Sequence, residues 1–464
     1  MSAPVECKLF TLVLLILIFI LASELSNCKT NESDAMKYVC FSSKTAYENL
    51  LKYRRTANIK DGFVFPPRPM KCQPIQLNVV LRHGTRHPSV KDIQKMQACT
   101  TKVVGNVINA DFVHLNNWKS SFPLSHEKQL VDVGRREHED LAVKYSTAFP
   151  ELISDFSRVK IVSSRISRSL ESAQSFINKI AGVGETPKIN INDHIMRFFE
   201  YCQNYLDRVD HNKSANSEMK KFKNGPEMKQ LATSLGEKLS LQNNIQLNGD
   251  DLMGLFRICA YEVAFYGFSH WCDVLNLEDL HVLDYLDDLK QYWKKSYGYV
   301  VNYAQSCPLL ADIIHTLDSA ADSKEGHPKA VFQFGHAETI FPLFCLLGLF
   351  KDEVPLRADN FRVHRNRKFR SSVISPFAGN IAFVLYHCDK EGMTSEENRR
   401  DGWPEDIQNL MVQVYVNEKL VQLPFCGHKM CSYEEFKKNY KQYATNCDYN
   451  GVCKRKTPEK KDEL

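Results

Sequence analysis

The run Arg82-His83-Gly84-Thr85-Arg86-His87-Pro88 sets an imidazole between two guanidiniums. A guanidinium fork fits the tetrahedral oxygens of a phosphate group. An imidazole among such forks can attack phosphorus if its attacking nitrogen carries no proton. Two later segments hold residues suited to the same reaction. Ser163-Ser164-Arg165-Ile166-Ser167-Arg168-Ser169 offers a further arginine, and Gly335-His336-Ala337-Glu338 offers a second imidazole and a carboxyl group. Transfer of a phosphoryl group needs positive charge around three equatorial oxygens and an in-line nucleophile. A sugar-like alcohol also needs a proton as it departs, which a carboxyl group at a helix start can give. Three arginines supply the charge, so the chemistry requires neither a metal nor a cofactor.

Each segment follows an apolar run that reads as a strand. Residues 76–81 precede Arg82, residues 159–162 precede the serine and arginine cluster, and residues 330–334 precede Gly335. A fourth run spans 380–386. The first three lead into helices, which predicts an α/β fold with a largely parallel sheet covered on both faces. Ligands of such sheets bind beyond the C-terminal ends of the strands, where the three segments would meet. Between 193 and 306 the alternation of strands gives way to helical spacing, notably at 252–268 and 280–293. This region reads as an all-α cap inserted between two parts of the core, 30–192 and 307–453. Residues 454–464 form a charged tail.

The chain resembles the histidine acid phosphatases, whose signature is Arg-His-Gly-x-Arg-x-Pro early and His-Asp or His-Ala-Glu late. The His-Ala-Glu form is similar to that of the multiple inositol polyphosphate phosphatases within the family. The segments at 197–202, 222–228, 271–274, 288–293 and 367–371 agree, and the resemblance runs from about 61 to 453. It implies a phosphoglycerate-mutase-like core and hydrolysis of inositol polyphosphates. By position, His83 would be the nucleophile forming a phosphohistidine, and Glu338 the general acid. Arg82, Arg86, Arg168 and His336 would bind the transferring group. Arg165 competes with Arg168, because Ser-Arg occurs twice; counting back from Ser172-Ala173 favours Arg168. Lys223, Lys368 and Arg370 are candidates for further contacts with a polyanion. Two other functions compete with this one. A general acid phosphatase, or one acting on 2,3-bisphosphoglycerate, would use the same site with fewer surrounding cations. A non-catalytic binder of phosphorylated ligands would need neither nucleophile nor acid.

The formal charge of +5 is too small to mark a nucleic-acid binder, and no Walker-type loop, paired CxxC or HExxH occurs. Residues 9–22 are almost wholly apolar but short for a bilayer span, as in a signal peptide, which we place at 1–26. No stable membrane span is expected after its removal. Lys461-Asp462-Glu463-Leu464 matches the address read by the retrieval receptor of the endoplasmic reticulum. Together these predict a lumenal protein, with partial secretion. Fifteen cysteines suit that oxidising compartment. Cys426/Cys431 and Cys447/Cys453 are close enough for local bridges, and Cys345 reads as a buried free thiol. Asn31 and Asn212 stand in glycosylation sequons.

Overall fold

The computed structural model describes residues 36–56, 65, 72–181, 187–389 and 409–455. The stretch at 1–26, Asn31 and the tetrapeptide 461–464 lie outside them. Eight strands form one sheet: β1 (Cys72–Arg82), β2 (Val159–Ser163), β3 (Ile189–Ile191), β4 (Ala330–Gly335), β5 (Asn380–Cys388), β6 (Leu410–Val416), β7 (Lys419–Val421) and β8 (Met430–Ser432). Their order is β3-β2-β4-β1-β5-β6-β7, with β8 on β6. The four strands β3, β2, β4 and β1 run parallel. Beyond β1 the sheet turns antiparallel through β5 and β6, so the parallel core carries an antiparallel extension that sequence reading did not place.

Both faces are covered, which is why β1 is buried almost throughout. Leu77, Val79 and Leu81 share one core with Leu141 and Tyr145 of the Asp132–Ala148 helix and Phe176 of the Ser167–Ala181 helix. Val80 points the other way, toward the helices Val90–Val103, Gly249–Tyr266 and Cys307–Ala321. Such alternation is the period of two of a strand. The interval 193–306 carries no strand. Its apolar side chains, from Leu252 to Leu289, belong to the same core as Val80 and Val162. The helical region is therefore packed onto the sheet.

Strand register fixes where the three chemical segments end. Arg82 pairs with Gly335, and Ser163 pairs with Phe334. The residues that follow β1, β2 and β4 thus leave the sheet side by side.

Five disulfides join Cys72–Cys388, Cys202–Cys453, Cys259–Cys272, Cys307–Cys447 and Cys426–Cys431. The last was expected, but the Cys447/Cys453 bridge is corrected. The short helix Tyr449–Cys453 carries Cys453 into a small core with Cys202, Tyr205 and Val209, leaving Cys447 to Cys307. Cys345 is free and buried as expected, and so are Cys40 and Cys99. Asn212 is exposed, its side-chain oxygen accepting from the Ser214 amide at 2.9 Å. No described helix is long and apolar enough to cross a membrane.

Gly84 does not use the left-handed backbone region; what the position requires is space. A Cβ there would collide with the backbone of Gly134, and a Cβ on Gly134 would collide with that of Thr85. Gly134 lies in the first turn of the Asp132–Ala148 helix, so this pair lets the helix press directly on the loop after β1. Gly134→Ala should therefore cost about 1–3 kcal/mol of stability by overpacking. It should also speed hydrogen exchange at the Thr85 amide. Wild-type values for both in denaturation and exchange measurements would refute the close-packing role.

Candidate active site

The loop after β1 is pinned from four sides. The His83 amide donates to the Gly335 carbonyl at 3.0 Å, and the His83 carbonyl accepts from the Ala378 amide at 3.1 Å. The Gly84 amide donates to Ser172 Oγ, which itself donates to the Arg168 carbonyl. Below the loop the buried Glu137 carboxylate accepts from the Thr85 amide at 2.7 Å, the Thr85 hydroxyl at 2.9 Å and the Tyr47 amide at 2.9 Å. Burial pushes that carboxyl up to about 7 against these donors.

His83 is buried, and its Nδ1 lies 2.9 Å from the Gly84 carbonyl oxygen. A carbonyl can only accept, so Nδ1 carries the proton and Nε2 keeps its lone pair. No hydrogen-bond partner occupies Nε2 among the described residues. Burial, and then the charges of Arg168, Arg82, His336 and Arg86, hold this imidazole well below the ordinary histidine range. It therefore stays neutral in acid, with Nε2 available for attack.

The three arginines surround it. Arg82 donates through Nη1 to the carbonyls of Ser43 at 2.8 Å and Ser375 at 2.9 Å, and lies over the Phe377 ring at 4.6 Å. Arg86 donates through Nη1 to the His87 carbonyl at 2.6 Å. Arg168 reaches His336 Nδ1 at 3.3 Å. Each of the three keeps a buried Nε–H without an acceptor. Buried donors in native proteins are nearly always paired, and three unpaired ones of positive charge point to a bound oxyanion. Arg165, the rival for the third position, is mostly exposed and is taken by Asp193.

The His336 ring lies 5.6 Å from that of His83, centroid to centroid. Its Nε2 faces Ser164 Oγ at 3.0 Å. Burial, then Arg168, lower it to about 3. Glu338 stands in the first turn of the Ala337–Leu346 helix, and its carboxylate pairs with Lys295 Nζ at 2.7 Å. Burial would raise this carboxyl, but Lys295 outweighs it and holds the group well below its ordinary value.

Beyond the arginines stands a second group of cations that sequence reading missed. Lys44, from the turn Ser42–Lys44, feels Asp92, Arg86, Arg257 and Arg82, and burial lowers it well below the usual lysine range. Arg257 lies between Asp92 at 3.3 Å and Asp287 at 2.7 Å. Lys290 and Lys295 follow on the Leu277–Lys295 helix. The signal available in the sequence was Arg257, the one cation within the apolar run 252–268.

The three suggested polyanion contacts lie elsewhere. Arg370 faces inward to Asp284 at 3.1 Å and Cys40 Sγ at 3.0 Å. With Arg367, Asp284 and Asp288 it anchors the turn that carries Lys44, because Asp284 also accepts from the Ser42 amide at 2.8 Å. Lys368 is exposed, its backbone amide tied to Asp352. Lys223 donates to Asp250 at 2.8 Å, and its charge acts on Lys95. None of the three is brought to the two histidines.

Residues 75–417 match the model of the histidine phosphatase superfamily, branch 2. Among curated proteins, multiple inositol polyphosphate phosphatase 1 of Homo sapiens is 34% identical, covering 82% of each chain. That of Gallus gallus is 36% identical, over 83% of this chain and 85% of its own. The fold is also similar to a solved phytase from D. castellii, at TM-score 0.68, 19% identity and 84% coverage of each chain. A second similar structure is multiple inositol polyphosphate phosphatase of Bifidobacterium longum complexed with inositol hexasulfate, at TM-score 0.65 and 16% identity. It covers 88% of this chain and 98% of that one.

The two Ser-Arg pairs separate in experiment. Arg168→Ala should lower phosphomonoester turnover by about 100-fold or more, the usual cost of removing one donor to transition-state charge. Arg165→Ala should leave turnover within about threefold, since its guanidinium is mostly exposed and the buried Asp193 keeps Arg197 as a partner. Steady-state rates of the two purified variants decide it, and comparable losses would reject the choice of Arg168.

Proposed function

The chain belongs to branch 2 of the histidine phosphatase superfamily and is a phosphoric monoester hydrolase; from that premise we propose that it hydrolyses inositol polyphosphates, including the hexakisphosphate, through a phosphohistidine on His83. The observation that carries the reading is the set of unpaired Nε–H groups of Arg82, Arg86 and Arg168 around a neutral imidazole whose Nε2 is unbonded. His83 Nε2 attacks phosphorus, the P–O bond to the alcohol breaks, and Glu338 passes a proton to the departing oxygen. Water then attacks the phosphohistidine, the P–N bond breaks, and Glu338 takes up the water proton. The arginines hold the equatorial oxygens throughout.

Substrate class is argued from the second group of cations. With a simple monoester Arg257 keeps Asp92 and Asp287 and Lys295 keeps Glu338, and Lys44, Lys290 and Lys295 meet no phosphate, whereas several phosphates on one ring would reach these lysines. This favours a polyphosphate over the general acid phosphatase reading. The curated relatives cited above carry the name of that same activity.

The test is a comparison of leaving groups. Glu338→Gln should slow release of phosphate from inositol hexakisphosphate by about 100-fold or more. It should slow nitrophenyl phosphate far less, because a phenolate departs without a proton. His83→Ala should abolish turnover of both, together with the acid-labile phosphoenzyme trapped by rapid quench. Equal losses on both substrates for Glu338→Gln would remove it from the acid role. Turnover by His83→Ala near the wild-type rate would end the phosphohistidine reading.

A lumenal site of action in the endoplasmic reticulum is proposed on three features: the apolar run 9–22, the tetrapeptide 461–464 and the disulfides. Deleting residues 461–464 should move the protein from cell lysate to medium in secretory cells, as read by immunoblot. Unchanged retention would count against the proposed address.

A further inference from the structure

The Glu338 carboxylate is held in a state unsuited to giving a proton. Lys295 is the last residue of the Leu277–Lys295 helix, and Glu338 sits in the first turn of the Ala337–Leu346 helix. A cation at a helix C-terminus and an anion at an N-terminus are each favoured by the helix dipole. Their 2.7 Å contact adds a charge-assisted hydrogen bond. The groups that feel this carboxyl from neighbouring elements are Arg168 on the Ser167–Ala181 helix, Arg82 on β1, His336 at the end of β4 and Tyr205 on the short helix Gln203–Tyr205, with Glu200 and Asp210 acting in turn on Arg168 and Tyr205. The carboxylate has a counterion that must be displaced before it can accept a proton. Lys295 is also placed to be displaced. Its side chain is 17% exposed and that of Glu338 36%, and the charge of Lys290, on the same helix, acts together with it.

Resting on the phosphohistidine reading above, we propose that Lys295 is a substrate-sensing positioning residue. A phosphate adjacent to the scissile one draws its ammonium off Glu338, and the freed carboxylate takes a proton from solvent. The proton then passes to the alkoxide as the P–O bond breaks, and the carboxylate is restored. A substrate with neighbouring phosphates thus charges its own acid. A simple monoester leaves the ion pair closed and the acid unprotonated at the same pH.

The readout is the alkaline limb of the pre-steady-state rate of alcohol release at saturating substrate, which follows the acid in the bound complex. Two esters of comparably poor alcohols are compared, inositol hexakisphosphate and glycerol 2-phosphate. In the wild type the limb should lie higher for the hexakisphosphate, by about one to three pH units, the effect of one close opposite charge on a carboxyl group. Lys295→Met should raise the glycerol 2-phosphate limb toward the hexakisphosphate position. Lys295→Arg, which keeps the charge, should leave the two limbs apart. Limb position does not depend on the fraction of enzyme that is folded, so partial misfolding does not mimic the result. Coincident limbs in the wild type, or an unmoved glycerol 2-phosphate limb in Lys295→Met, would overturn the proposal. Failure of the acid assignment itself would appear instead as equal losses on good and poor leaving groups in Glu338→Gln.

Discussion

Arg82, Arg86 and Arg168 bear like charges that repel, and such a cluster persists only if covalent and hydrogen-bonded structure holds it together. Two unit charges 4 Å apart at an effective dielectric of 20 interact by about 4 kcal/mol, so the cluster works against folding. The fold answers with fixed acceptors. Arg82 is tied to two backbone carbonyls and the face of Phe377, Arg86 to the carbonyl of His87, and the loop between them to Glu137. Each of the three also keeps a buried Nε–H without a partner. A tetrahedral dianion bound among the guanidiniums would relieve their mutual repulsion.

That arrangement depends on elements distant in the chain. β1, β2 and β4 deliver their ends together because Arg82 is in register with Gly335 and Ser163 with Phe334. The Asp132–Ala148 helix reaches the loop only because two glycines meet without side chains. The turn Ser42–Lys44 is held by a buried cluster in which Arg367 and Arg370 neutralise Asp284 and Asp288. The helical region adds counterions as well as cations. Asp92 caps its own helix through Ser89 and also faces Arg257, while Asp287 faces Arg257 from the opposite side. Arg257 is thereby fixed near the phosphate site without being discharged.

Much of this was legible because the chemistry sits at strand ends. Apolar runs of four to six residues followed at once by arginine, serine or glycine mark both the strand and its terminus, so His83, Arg168 and His336 could be placed together from the sequence. The antiparallel strands β6, β7 and β8 were not legible. β7 and β8 have three residues each, too few to show a period, and β6 is buried along almost its whole length, so it shows no alternation. The lysines failed for another reason. A surface lysine and a lysine over a substrate have the same sequence neighbours, and only the fold distinguishes Lys295 beside Glu338 from Lys368 in solvent. Arg370 misled in the opposite sense. It was read as a contact for a polyanion, whereas Asp284 and Asp288, some eighty residues earlier, turn it inward.

Two neutral imidazoles stand within 6 Å of each other, yet only one is suited to attack. Burial and the arginines lower both, so charge does not distinguish them. Hydrogen bonding does. His336 meets Ser164 at Nε2 and Arg168 at Nδ1. Since a guanidinium can only donate, Nδ1 is the acceptor and Nε2 carries the hydrogen toward Ser164. Both of its nitrogens are engaged. His83 uses only Nδ1, against a carbonyl one residue away on its own loop. In the proposed reaction that contact would also stabilise the positive charge developing on the ring as Nε2 bonds to phosphorus, because the Nδ1–H···O bond strengthens with it. The Gly84 carbonyl would then act together with the proposed nucleophile. It faces His83 because Gly84 is held between the Ser172 hydroxyl and the backbone of Gly134.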